Sequence, residues 1–191
     1  MGIVAAALAL VLWITVGVMH RITAPLENLT VLRPALGGLA FGLVGVALPL
    51  TMFSGADQLG TIVEDGAMLG AGLLVAVVFA KILAFAISMS TGFIGGPLFP
   101  ALFIGGTAGI ATTLLIPEIP QGFAFVTMMA AVSPAILPAP FTMVILAPLL
   151  TGVGVLNTAP IVVAVLISYL VFSGLDAVTR IGQRRPQAES A

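Results

Sequence analysis

The sequence predicts an all-α, polytopic membrane protein whose helices are broken and re-entrant. Three observations lead there. Of the 191 residues, 60% are hydrophobic and 7% charged, with a mean hydropathy of +1.27, whereas a soluble domain carries about 25% charged residues to face water. Apolar runs recur along the chain, and at roughly 20 residues per crossing its length allows about six or seven passes. Glycine and proline interrupt those runs, most densely between Ser88 and Gly106.

That stretch reads Ser-Met-Ser-Thr-Gly-Phe-Ile-Gly-Gly-Pro-Leu-Phe-Pro-Ala-Leu-Phe-Ile-Gly-Gly. Gly92, Gly95 and Gly96 remove the side chains that hold a helix together, and Pro97 supplies the φ favoured at a first helical position. A helix is predicted to end near Gly92 and another to begin near Pro97. The first turn of a helix leaves amides without intrahelical acceptors and carries partial positive charge, so it can receive an anion. Within a bilayer such a break is tolerated only where it is buried in protein or lines a wet cavity. The break is therefore a candidate ion site.

The remaining elements follow in chain order. Gly2 to Met19 reads as a first span rather than a signal-peptide core, because no Lys or Arg precedes it and no small-residue cleavage site follows before more membrane segments. Residues 21–33, with Pro25 and Glu27, read as a polar connection. A second span runs from Pro34 to about Leu50, with Gly37, Gly38, Gly42 and Gly45 spaced for close helix approach. Residues 51–66 carry Ser54, Asp57, Glu64 and Asp65 and are expected to form a loop at the membrane surface. A third span, about 67–89, contains Lys81 deep in an apolar run, where an ionisable group is a functional candidate unless its stem lets it snorkel. Pro97 to Leu115 is a short helix closed by a turn at Pro117-Glu118-Ile119-Pro120. Pro134, Pro138, Pro140 and Pro148 divide residues 121–151 into two pieces meeting near 134–140. Residues 158–173 form the last span. The chain thus reads as one transmembrane domain, 1–176, and a tail, 177–191, which Arg180, Arg184 and Arg185 assign to the cytoplasm.

Several functions are excluded by composition. A formal net charge of −1 offers no basic face for nucleic acid. With no cysteine, thiol catalysis and thiolate metal sites are excluded, one histidine leaves little for metal binding, and no cofactor is expected. His20 sits at a span end with no nucleophile paired to it, which leaves no constellation for an intramembrane enzyme.

The run from Lys81 to Gly106 resembles the segment of the CLC chloride channel and transporter family that leads into its third ion-filter element, GxFxP; this pattern falls on Gly96-Pro97-Leu98-Phe99-Pro100. Ala139-Pro140-Phe141-Thr142 is similar to that family's APLT-like helix start. The resemblance follows the order of hydrophobic segments over nearly the whole chain and implies the C-terminal half of such a protein, its second inverted repeat. It further implies an anion, chloride-like, held by the amides around Gly95, Gly96, Leu98 and Phe99. Ser90, Thr91, Gly92, Pro97 and Pro100 would shape the break, and Lys81 would add positive potential. The implied partners are an N-terminal CLC half, a second copy in a homodimer and the lipid of the plasma (inner) membrane. The pattern is divergent. Leu98 stands where the family has Phe, Pro97 removes one backbone donor, no tyrosine follows Tyr169, and Pro148 takes the place of a frequent Glu. The alternative expectation is a non-conducting membrane subunit that assembles with a partner half.

Overall fold

The computed structural model describes residues 1–135, 139–152 and 158–188, with the backbone alone for Ala135 and for 175–188. Among the described residues there are seven α-helices and no strand. Helix α1 spans Gly2–Thr23, α2 Leu32–Ala47, α3 Ala56–Thr91, α4 Leu98–Leu115, α5 Gln121–Val132, α6 Pro140–Thr151 and α7 Thr158–Ala188. Short 3-10 turns at Ala24–Leu26, Pro49–Thr51 and Ser133–Ala135 follow α1, α2 and α5, each with a proline at its first or second position. The expected junction near 134–140 lies partly outside the described residues; a 3-10 turn containing Pro134 precedes it and Pro140 opens α6 after it.

Three segments are long and apolar enough to cross a bilayer: Gly2–Leu26, Ala56–Thr91 and Leu98–Leu115. Helices α2, α5 and α6 and the Thr158–Gly174 part of α7 are shorter apolar stretches of 10–17 residues. At 1.5 Å per residue, a twelve-residue helix such as α5 or α6 reaches about 18 Å, short of the roughly 30 Å hydrocarbon core. Uneven lengths of this kind agree with the expected architecture of broken helices.

The core is built around α4. Eleven consecutive residues, Ala101 to Ala111, are buried on all sides, and a helix apolar all round belongs in an interior. Its closest partner is α5, where Ala124 to Val132 are buried, Met128 and Met129 among them. Gly105 and Gly109 let the two backbones meet, because a Cβ on them would lie 2.4 Å from the Met128 carbonyl oxygen and 2.6 Å from that of Ala124. Helix α3 packs on the other side of α4, and α1 lies between α3 and α7. Trp13 of α1 meets Phe172 of α7 edge-on with ring centroids 6.4 Å apart.

The expected surface loop at 51–66 is corrected by α3, which begins at Ala56. The polar residues there misled because they lie on one face. Asp57 and Glu64 are exposed, while Leu59, Ile62, Gly66 and Leu69 recur every three or four residues and pack inward. Helical period, not average polarity, decides the element. The helix then kinks at Gly70, whose φ of 78° and ψ of 153° are open to glycine almost alone. The last span was expected to end at 173, but the backbone of α7 stays helical to Ala188. The glycine stripe of α2 divides: Gly37 packs on Thr91 and Gly45 on Met52, whereas Gly42 has nothing within 4 Å.

Candidate functional site

The predicted break is present. Helix α3 ends at Thr91, and Gly92, with φ 93°, is the left-handed residue that stops it. The amides of Gly92 and Phe93 both donate to the Ser88 carbonyl, the bonding of a Schellman-type ending. Residues 93–96 run without helix, and α4 opens at Leu98 with Pro97 as its cap. Pro97 therefore stands one position before the first helical residue, where sequence reading had placed it inside.

The hydrogen-bond accounting at this opening is simple. Ala101 donates to the Pro97 carbonyl at 3.2 Å, and Pro100, like Pro97, has no N–H. That leaves Leu98 and Phe99 as the donors of the first turn. Among the described residues neither they nor Gly95 and Gly96 have a hydrogen-bond acceptor. Four amides thus remain unpaired along five residues at the positive end of a buried helix.

A cavity of about 540 Å³ opens beside this loop. One wall is a stripe of α3, Lys81, Ala84, Phe85, Ser88 and Met89, spaced as residues on one helical face are. Gly38 and Phe41 of α2 form a second wall, Phe53 and Ser54 a third, and Phe93 to Gly96 with Pro100 complete it. Lys81, Gly95, Gly96 and Pro100, separated in the sequence, are brought to one cavity. Leu98 is half-buried outside its lining, and the Phe99 side chain faces a different cavity of about 490 Å³ bordered by α3 and α5. Ser90 and Thr91 are buried away from both, their hydroxyls donating to the Ile87 carbonyl.

Lys81 is only 2% exposed, which removes the snorkelling reading. Its ammonium donates to the carbonyls of Thr51 at 2.9 Å, Phe53 at 2.7 Å and Met52 at 3.5 Å, and lies 5.0 Å from the centroid of the Phe103 ring. Phe53 is the one non-glycine residue with positive φ among the described residues, at 55°. A strained backbone beside a cavity persists only where its surroundings hold it, and Lys81 supplies that hold. Lys81→Met should leave three carbonyls without their charged donor and cost roughly 2 kcal/mol or more. The readout is a lower unfolding midpoint in detergent with faster proteolysis between Thr51 and Ser54; an unchanged midpoint would show that these contacts do not stabilise the fold.

The sequence profile of the family described as "Voltage gated chloride channel" matches residues 1–173. The chain belongs to that family. Curated relatives include proteins named "Putative ion-transport protein YfeO" from Salmonella newport (strain SL254) and Salmonella typhimurium (strain LT2), each 34% identical over 103 residues. The aligned stretch is 53% of this chain and 25% of each relative, so the match covers about a quarter of the relatives' length. As a member of the voltage-gated chloride channel family with apolar spanning helices, the chain is an integral membrane protein.

One residue of this family member escaped sequence reasoning. Arg33, read as the end of a polar connection, sits in the first turn of α2 and donates through Nε at 3.1 Å and Nη2 at 2.6 Å to the Ser90 carbonyl. The residue type was visible, but its partner lies 57 positions away, and no local spacing announces it.

Proposed function

We propose that this chain forms part of a CLC-type anion channel or transporter in which an inorganic, chloride-like anion is held by backbone amides at the break between α3 and α4. The observation that carries this reading is the set of unpaired amides at Gly95, Gly96, Leu98 and Phe99, beside a cavity that also contains Lys81. Neutral backbone donors and one lysine attract an anion without binding it so tightly that it cannot leave. Family membership supports the same class of solute. In this reading an N-terminal half of the same family and a second copy of the assembly complete the transport unit. Residues 1–176 form its membrane domain in the plasma membrane, and residues 177–191 face the cytoplasm.

The test is chloride efflux from liposomes containing the chain, alone and with a first-repeat half, followed with a chloride electrode, together with calorimetric titration of chloride against an isethionate background. Saturable chloride binding, with efflux above that of protein-free liposomes when both halves are present, is the expected result. Absence of both binding and efflux would overturn it. The loss of the backbone donor at Pro97 favours one alternative, a non-conducting subunit. It is recognised by co-purification with the other half and no efflux under any gradient.

A further inference from the structure

The Ser90 carbonyl is held from two other helices. It belongs to the last turn of α3, whose carbonyls lack intrahelical donors and carry the negative end of the helix dipole. Arg33 of α2 gives it two N–H donors, and the Thr23 hydroxyl at the end of α1 reaches it at 3.0 Å. The contact is tight on both sides. Thr23 is 5% exposed and Ser90 fully buried, and Gly37, one turn after Arg33, packs so closely on Thr91 that a Cβ there would lie 2.2 Å from its Oγ1.

The position of this clamp gives it a use. Ser88 and Met89, immediately before Ser90, line the wall of the cavity formed by α3, and Gly38, five residues after Arg33, lines the wall formed by α2. The clamp ties these walls together at the point where the chain leaves α3 for the loop of unpaired amides. It also sets a full positive charge on the carbonyl end nearest that loop. Without it, the site would have a helix C-terminus repelling anions beside a helix N-terminus attracting them.

We propose that Arg33 is a positioning residue for the anion site: its guanidinium fixes the end of α3 against α1 and α2 and cancels the negative potential of that end, so that the donors at Gly95 to Phe99 act unopposed. This inference rests on the anion reading above for its second half only. Its test uses the full chain in detergent with two independent readouts. The first is hydrogen exchange of the peptide covering 88–97, which contains the Gly92 and Phe93 amides bonded to Ser88. Arg33→Met should accelerate it at least about tenfold, the loss expected on removing a charge-assisted contact; exchange at the wild-type rate would overturn the clamp. The second is chloride affinity by titration. Arg33→Gln keeps a donor but no charge and should bind about three- to tenfold more weakly. Arg33→Lys should recover most of that affinity, and Thr23→Val should leave it unchanged.

Arg33→Gln binding chloride as the wild type does would overturn the electrostatic role. A wild-type chain that binds no chloride, together with faster exchange in Arg33→Met, would sink the anion reading while supporting the clamp.

Discussion

Replacing the Leu98 or Phe99 amide by an ester should weaken chloride binding by roughly tenfold or more for each, the effect expected when a donor to a charged partner is lost. The two positions are suited to this test because their N–H groups have no acceptor within the helix. An ester there removes a donor while costing α4 little. The secondary effect is a weaker acceptor on the preceding carbonyl; for the Leu98 ester that is the Pro97 carbonyl receiving the 3.2 Å bond from Ala101. An ester at Leu102 serves as the control, since it deletes an intrahelical donor and should lower the unfolding midpoint without changing chloride affinity. Affinity unchanged in both the Leu98 and Phe99 esters would remove the proposed site from the first turn of α4. Side-chain substitution is a blunter probe, because Leu98 and Phe99 would present the same amides whatever their side chains.

The largest effect on the fold is expected at Gly105 and Gly109. An alanine at either position places its Cβ 2.4 Å or 2.6 Å from a carbonyl oxygen of α5. The obstacle is backbone, which cannot rotate away as a side chain can, so α4 and α5 must separate. Overpacking of a tight core costs about 1–3 kcal/mol and occasionally more, and two such sites on one helix face should bring the double variant near the limit of stability. Gly105→Ala with Gly109→Ala should therefore fail to yield a monodisperse protein in detergent, whereas Gly17→Ala and Gly122→Ala, which meet nothing within 4 Å, should behave as wild type. A double variant that unfolds at the wild-type midpoint would show that α4 and α5 can part without loss. The same variant also tests the site indirectly, because α4 carries two of the unpaired amides, those of Leu98 and Phe99, and is held in place mainly by α3 and α5.

Several elements were legible because their causes are local. Gly92 ends α3 through a left-handed φ that disfavours side chains, and proline next to Leu98 stops the preceding chain from entering the helix. The turn at 117–120 follows from the same chemistry. The stretch 51–66 was misjudged where composition and period disagreed, since three acidic residues outweighed an inward stripe at Leu59, Ile62 and Gly66. Lys81 was recognised as unusual for its depth, but depth alone cannot distinguish a residue that faces an ion from one that ties down the carbonyls of Thr51 to Phe53. Its position beside both the cavity and those carbonyls is a property of three segments meeting.

By itself the sequence determined that this is an all-α membrane protein interrupted between Gly92 and Pro97, because hydropathy, glycine φ and the missing proline N–H act within a few residues of where they are written. Only the tertiary structure decided that Arg33 closes on Ser90, that Gly105 and Gly109 are the points of closest backbone approach, and that Lys81 shares a cavity with Gly95 and Gly96. Those are contacts between segments far apart in the chain, and their partners are selected by which helix faces are buried together, a choice that no local spacing encodes.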